Sequence, residues 1–175
     1  MHAFDLNKVA GRTIDVRRAH EGEKIVTLDE KEFTLNPNNL VICDAEKPVA
    51  LAGIMGGANS GMDENTTSLL FECATFARDS VRKTSRALGQ NSDSSARYEK
   101  GVDRYSPQLG LARALHLIQQ LDCGDITTLE YDLTDGRPLE RKHIVTTPAK
   151  ICAVLGITVP DQTMIDILQR LEFTV

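Results

Sequence analysis

The 175-residue chain has no apolar run approaching the roughly 20 residues that cross a bilayer. No charged-then-apolar leader opens it, so export is not expected and the reading is cytoplasmic. It has four cysteines, Cys43, Cys73, Cys123 and Cys152, widely spaced and without a C-x-x-C pair. That scatter fits buried thiols in a reducing compartment better than a disulfide or zinc framework. His2, His20, His116 and His143 show no H-E-x-x-H or paired-ligand spacing, so no metal site is expected. There is no G-x-S-x-G, and the glycines at positions 53, 56, 57 and 61 lack both the Lys-Ser/Thr of a phosphate loop and G-x-G-x-x-G spacing. An elbow serine and a nucleotide loop are therefore unsupported. The formal net charge of -5 argues against a general nucleic-acid coat.

What is present is a balanced composition, 41% hydrophobic and 26% charged, as in a soluble globular protein. The first half reads as short β-branched strands: Thr13–Ala19, Lys24–Leu28, Glu32–Leu35 and Leu40–Asp44, punctuated by Glu21-Gly22, Asp29-Glu30 and Asn36–Asn39. Pro48–Ala52 runs into the glycine-rich turn, and Ser68–Phe76 reads as a buried strand interrupted by Glu72. Helices follow. Asp79 is the expected N-cap of one that stops at Gly89. Ser106 is the expected cap of a second, with Pro107 at its first position, a stripe of Leu111, Ala114, Leu115, Ile118 and Leu121, and Gly124 as its end.

Ile126–Leu133 is expected to return as a strand. The polar Asp135–Lys142 is the candidate boundary, followed by a strand around His143–Thr146 and helices at Pro148–Leu155 and Asp161–Leu171. Phe173-Thr174-Val175 looks like the start of a strand, which suggests that the fold continues. The fold class is thus α+β: a mixed, mostly antiparallel sheet with flanking helices, then a small partial helical module. The expected division is a domain over 1–134, a linker and first strand over 135–147, and an incomplete helical module over 148–175.

Three features do not fit a purely structural role at once. His2 stands in His-Ala-Phe-Asp, Glu72 lies within an apolar strand, and Gln90–Arg97 is crowded with small polar groups between two helices. A carboxylate in a buried strand is costly unless paired or left facing a pocket. The segment 78–104 also carries seven Lys/Arg against four acids. A solvated helix face is the ordinary reading of such a run, and a phosphate-contacting patch the sharper one.

His2-Ala3-Phe4-Asp5, Pro48 to Gly57 (PVALAGIMGG), Phe71-Glu72-Cys73-Ala74 and Arg97 to Asp103 (RYEKGVD), in that order, resemble the beta subunits of bacterial phenylalanyl-tRNA synthetases. The resemblance covers essentially the whole chain. It implies an α/β domain that hydrolyses tyrosine wrongly attached to tRNA(Phe). The parent heterotetramer joins phenylalanine to tRNA with ATP and magnesium, and its alpha subunit carries out that synthesis. No cofactor is implied for this segment itself, and the family's magnesium-binding acids would fall beyond Val175. Implied partners are the alpha subunit, the tRNA(Phe) acceptor end and the tyrosyl moiety, and no membrane.

Carried over by position, His2 and Gly56 belong to the site, Glu72 matches the glutamate that recognises the tyrosine hydroxyl, and Ser92 and Ser94 line the pocket. The usual loop reads Thr-Asp-Ala where this chain has Ser92-Asp93-Ser94, so Ser94 adds a hydroxyl. The family domain also begins upstream of the opening histidine. Chemically, ester hydrolysis here calls for a positioned water, with Gly56 and Gly57 as the expected oxyanion donors. His2 would act either as base or as an orienting group. Arg82, Lys83 and Arg86 are the expected phosphate contacts. The competing expectation is a non-catalytic RNA-docking or architectural module.

Overall fold

The computed structural model describes residues 1–127 and 140–175. Contacts divide the chain into two compact units, Met1–Thr134 and Asp135–Val175. The expected strand Ile126–Leu133, apart from Ile126 and Thr127, and most of the candidate boundary Asp135–Lys142 lie outside the described residues.

The first unit is built on a four-stranded antiparallel sheet in the order β2 (Asp15–Arg18), β5 (Leu40–Cys43), β6 (Pro48–Leu51), β7 (Met55–Gly56). Its inner strands are apolar on both faces: Val41, Ile42, Cys43, Val49, Ala50 and Leu51 are each at most 4% exposed. That is why these runs read as nearly continuous β-branched segments rather than alternating ones. Two further antiparallel pairs flank it. One joins β3 (Lys24–Val26) to β4 (Glu32–Thr34), and the other joins β1 (His2–Asp5) to β8 (Leu69–Glu72). The α+β class with antiparallel pairing is therefore observed, as three sheets rather than one among the described residues.

Three helices follow in this unit: α1 (Arg78–Leu88), α2 (Asp93–Tyr98) and α3 (Ser106–Leu121). Several expected boundaries move. Asp79 is not the cap of α1. Ala77 precedes the helix and Asp79 sits in its first turn, its carboxylate 3.6 Å from Arg78 Nε, where a negative charge still favours the helix dipole. Gly89 does close α1, in the left-handed conformation at φ 63°. Ser106 is the first residue of α3 and Tyr105 precedes it; the helix ends at a left-handed Asp122 instead of Gly124, because the last turn is already closed by bonds to the Gln119 and Ile118 carbonyls. Of the expected stripe, Leu121 is 68% exposed, and no residue of α3 is fully buried.

The expected buried strand Ser68–Phe76 is shorter and less covered. It is β8 alone, and its outer residue Leu69 is 45% exposed. Among the described residues it pairs only with β1. Ladder partners Phe4 and Leu70 turn inward together: Phe4 is 1% exposed and Leu70 packs on the core. Because side chains alternate along a strand, His2 and Glu72 share that inward face.

In the second unit, α4 (Pro148–Leu155) is capped by Thr147 Oγ1, which accepts from Lys150 N, and is closed by a left-handed Gly156. α5 (Asp161–Arg170) follows. The strand expected around His143–Thr146 does not form. Ile144 and Val145 are 79% and 94% exposed, and nothing among the described residues pairs with them to bury a strand face.

The turn after β7 is tightly constrained. Gly57 N–H donates to Val49 O at 2.7 Å, and a Cβ at Gly57 would meet that same carbonyl oxygen at 2.6 Å and Asn59 Oδ1 at 2.7 Å. A carbonyl engaged in the ladder cannot retreat. Gly57→Ala is therefore expected to destabilise the protein by about 1–3 kcal/mol, the ordinary cost of overpacking, measured as a lower urea midpoint at unchanged slope.

Candidate functional site

The site grows from the β1–β8 ladder. His2 is the register partner of Glu72, so the two side chains stand next to each other on the inward face of the pair. The imidazole meets Phe4 edge-on, with centroids 4.6 Å apart, and lies over Gly56 of β7. A Cβ at Gly56 would be 2.5 Å from His2 Cε1 and 2.8 Å from Nε2, so glycine is what lets the ring settle there. His2 Nε2 is buried with no hydrogen-bond partner. Burial, together with the neighbouring amino terminus, lowers the pKa of His2, which keeps the ring neutral at pH 7.

Glu72 is the feature that a purely structural reading does not absorb. Among the described residues it makes no ion pair and no hydrogen bond; no guanidinium covers it. Desolvation lifts its pKa to about 7, against the smaller opposing pull of the positive amino terminus. The same carboxylate is felt nearby. Burial and then Glu72 raise the pKa of the Tyr98 phenol, and burial raises that of the Cys73 thiol, to which Glu72 adds. Tyr98 OH donates to Ala74 O at 2.7 Å, fastening α2 to the segment that leaves β8.

The serines act on the opposite side of the glycine turn. Ser92 is the N-cap of α2, in a reciprocal capping box with Ser95, and its hydroxyl donates to Ile54 O at 2.6 Å. Ser94 Oγ donates to Gly53 O at 3.0 Å. The hydroxyl that distinguishes Ser94 from alanine is thus directed at backbone. The segment Gln90–Arg97, expected as a polar stretch between helices, contains a helix because that capping box starts one. Gly53, at φ 70°, is packed by Phe76, Val81 and Tyr98.

The structure therefore brings His2, Glu72 and Gly56 together, with Ser92 and Ser94 bracing the turn that carries Gly56. Gly57 stands differently from the expectation of an oxyanion donor, because its amide is spent on Val49 O. Arg82, Lys83 and Arg86 lie exposed on α1, opposite the face that buries Val81, Thr84 and Ser85. No ion pair holds any of the three among the described residues. Tyr98, against Gly53, and Leu28, against Gly56, stand beside these residues and were not among the expected ones. Tyr98 sat inside the Arg-Tyr-Glu run that carried the resemblance, whereas Leu28 gave no sequence signal at all. Two shallow depressions of about 210 and 220 Å³ lie elsewhere, one lined by Ile25, Val26, Pro48 and Asn59 among others and one on α4; neither touches His2, Gly56, Glu72 or Ser94. Among the described residues no three His, Cys, Asp or Glu side chains are grouped to hold a metal ion, and no helix is long and apolar enough to cross a membrane.

Residues 1–123 match the B3/4 domain, and the chain belongs to that family. Over its whole length it is also similar to proteins named phenylalanine–tRNA ligase beta subunit. It is 42% identical to that of Syntrophus aciditrophicus, 41% to that of Bacillus subtilis and 41% to that of Thermotoga maritima. The chain spans 22% of the length of each of these relatives.

A raised pKa on an unpaired carboxylate has a thermodynamic signature. The folded-state value, about 7, lies above the unfolded value of 4.5, so burial favours the protonated acid. Glu72 then contributes stability fully below about pH 4.5, and that contribution is lost as pH rises through 7. Relative to the parent chain, Glu72→Gln should gain melting temperature between pH 4.5 and 8. A thermal melt series across that range checks it, and a variant that instead loses ground at pH 8 would show a well-paired carboxylate.

Proposed function

We propose that this chain is part of a phenylalanine–tRNA ligase beta subunit and that its site hydrolyses tyrosine from mischarged tRNA(Phe). The observation that carries the reading is the unpaired Glu72 carboxylate on the inward face of β8, with His2 opposite it. Tyrosine differs from phenylalanine by one hydroxyl, and a hydrophobic synthetic pocket rejects an added hydroxyl by only about 100-fold. A second site with a desolvated acceptor reverses the test. The phenol hydroxyl of tyrosine donates to Glu72, whereas phenylalanine leaves that acceptor unpaired in a dry environment, at a cost of about 1–3 kcal/mol.

Hydrolysis then needs a water and a group to position it. A neutral His2 has an acceptor nitrogen available for a water proton or a ribose hydroxyl, and Nε2 has no protein partner to give up first. Gly56 makes the room for that ring. Ser92 and Ser94 hold the Gly53–Ile54 backbone, and through it the glycine turn, in register. Gly57 keeps the turn in the sheet instead of donating to the reacting ester. The exposed, unpaired Arg82, Lys83 and Arg86 form the face that would meet acceptor-end phosphates. The alpha subunit, ATP and magnesium belong to the aminoacylation half of the parent enzyme.

A second reading, an RNA-docking or architectural module without chemistry, is favoured by one fact: neither depression described above reaches Glu72. Glu72→Ala in the complete beta subunit with its alpha partner separates the two. Tyr-tRNA(Phe) deacylation should fall about 10- to 100-fold, the worth of a hydrogen bond to a charged group, while phenylalanylation holds. Unchanged deacylation would leave the docking reading.

The basic face has its own test. Replacing Arg82, Lys83 and Arg86 with Gln should weaken tRNA(Phe) binding and flatten its salt dependence by about one counterion for each lost contact. A filter-binding series over increasing salt measures both.

A further inference from the structure

One exposed apolar side chain remains unexplained beside the site. Leu28 is 48% exposed, yet both its backbone and its side chain are held by neighbours. Its N–H donates to Gly56 O at 2.9 Å. The turn that presents it is latched at several points. Thr27 N donates to Lys31 O, and Thr27 Oγ1 donates to Asp29 Oδ1. Lys31 Nζ sits 2.8 Å from Asp29 Oδ2, and Gln90 Nε2 donates to that same oxygen at 3.0 Å. Gln90, just past the end of α1, is only 1% exposed, so the turn is anchored to the body of the domain rather than waving above it. Leu28 Cδ1 lies 3.0 Å from where a Gly56 Cβ would be, in the notch that His2 also fills, and Cδ2 lies 3.1 Å from that of Gly61. Met62, next in the chain, is 54% exposed. Single exposed leucines need no explanation. One held rigidly against two glycines, beside an unpartnered histidine, does.

We infer that Leu28 is the apolar platform for the terminal adenosine of the aminoacyl-tRNA, and this rests on the editing reading above. The order of groups is the argument. From Glu72, one step across the ladder reaches His2, and one contact past His2 at Gly56 reaches Leu28. The substrate carries its parts in the same order: phenol, ester, then ribose and base. With the phenol on Glu72 and the ester at His2, the next covalently attached group is the nucleoside, and a flat base lies well on an exposed aliphatic surface. Leu28 is then a positioning residue that acts on binding of the nucleoside and leaves recognition of the tyrosyl side chain to Glu72.

The test uses the complete ligase and a stable substrate mimic, the amide of tyrosine with 3′-amino-3′-deoxyadenosine, as an inhibitor of Tyr-tRNA(Phe) deacylation. Tyrosinamide, which has no nucleoside, serves as the second probe. Leu28→Ser should raise the inhibition constant of the adenosine amide about fivefold, as expected for losing part of one aliphatic contact. It should raise KM for Tyr-tRNA(Phe) with little change in kcat, and leave the response to tyrosinamide as it was. Leu28→Met, which keeps the apolar surface, should restore the parent constant to within about twofold. An unchanged constant for the adenosine amide in Leu28→Ser overturns the platform. So does an equal loss for both probes, which would place Leu28 against the tyrosyl ring. Glu72→Ala is the control for the underlying reading: if it retains full hydrolysis, the editing reading fails and the platform with it.

Discussion

The structure turns on a largely desolvated carboxylate that no side-chain cation or hydrogen-bond donor meets among the described residues. Glu72 shares the inward face of β8 with Leu70, and the ladder sets His2 directly across from it. Burying an ionisable group alone is costly, and proteins ordinarily answer with an arginine, a lysine or a set of backbone donors. The same unit contains such answers elsewhere. Asp44 is almost completely buried but accepts from the Ala10, Glu46 and Lys47 amides, and these donors together with Lys47 outweigh its desolvation and keep its pKa low. Glu23 receives a two-point clamp from Arg17. Glu72 has neither. The contrast within one fold makes its isolation informative, because the chain has the means to satisfy an acid and does not use them here.

The surroundings of that pair are built to keep it in place. Gly56 admits the imidazole, Gly57 locks the turn to β6, and the α2 capping serines hold the carbonyls of Gly53 and Ile54. The α2 helix is in turn fastened to the chain leaving β8 through Tyr98 OH and Ala74 O. Each contact is an ordinary hydrogen bond worth about 1 kcal/mol. Their joint effect is geometric: they tie the glycine turn, α2 and the chain leaving β8 together around His2 and Glu72. Such bracing matters for the carboxylate, since one free to swing into solvent would lose the desolvation that raises its pKa.

Much of this was legible in the residues. Short β-branched runs located β2 through β6, and most clearly β5 and β6, which are inner strands buried on both faces. Gly89 and Gly156 marked helix ends correctly, because a left-handed closing residue is nearly a glycine signature. Local signals failed where tertiary contacts decide. His-Ala-Phe-Asp has no strand pattern and becomes β1 only through pairing with a segment some 65 residues away. The polar Ser92–Ser95 stretch becomes the start of a helix through its own capping box. Glu72 stood out by being charged in an apolar run, yet only the register showed that His2 is its partner. Nothing in the sequence singled out Leu28, whose position depends on glycines brought to it from the other side of the turn.

The central claim is that Glu72 is largely desolvated and lacks a side-chain partner, and its titration reports this most directly. With 13C-labelled glutamate, the side-chain carboxyl resonance that disappears in Glu72→Gln belongs to Glu72 and can be followed from pH 3 to 9. A midpoint near 7, well above the other glutamates, is the predicted result. A midpoint at or below the ordinary glutamate range would mean that water or a cation reaches the carboxylate, and would contradict the account.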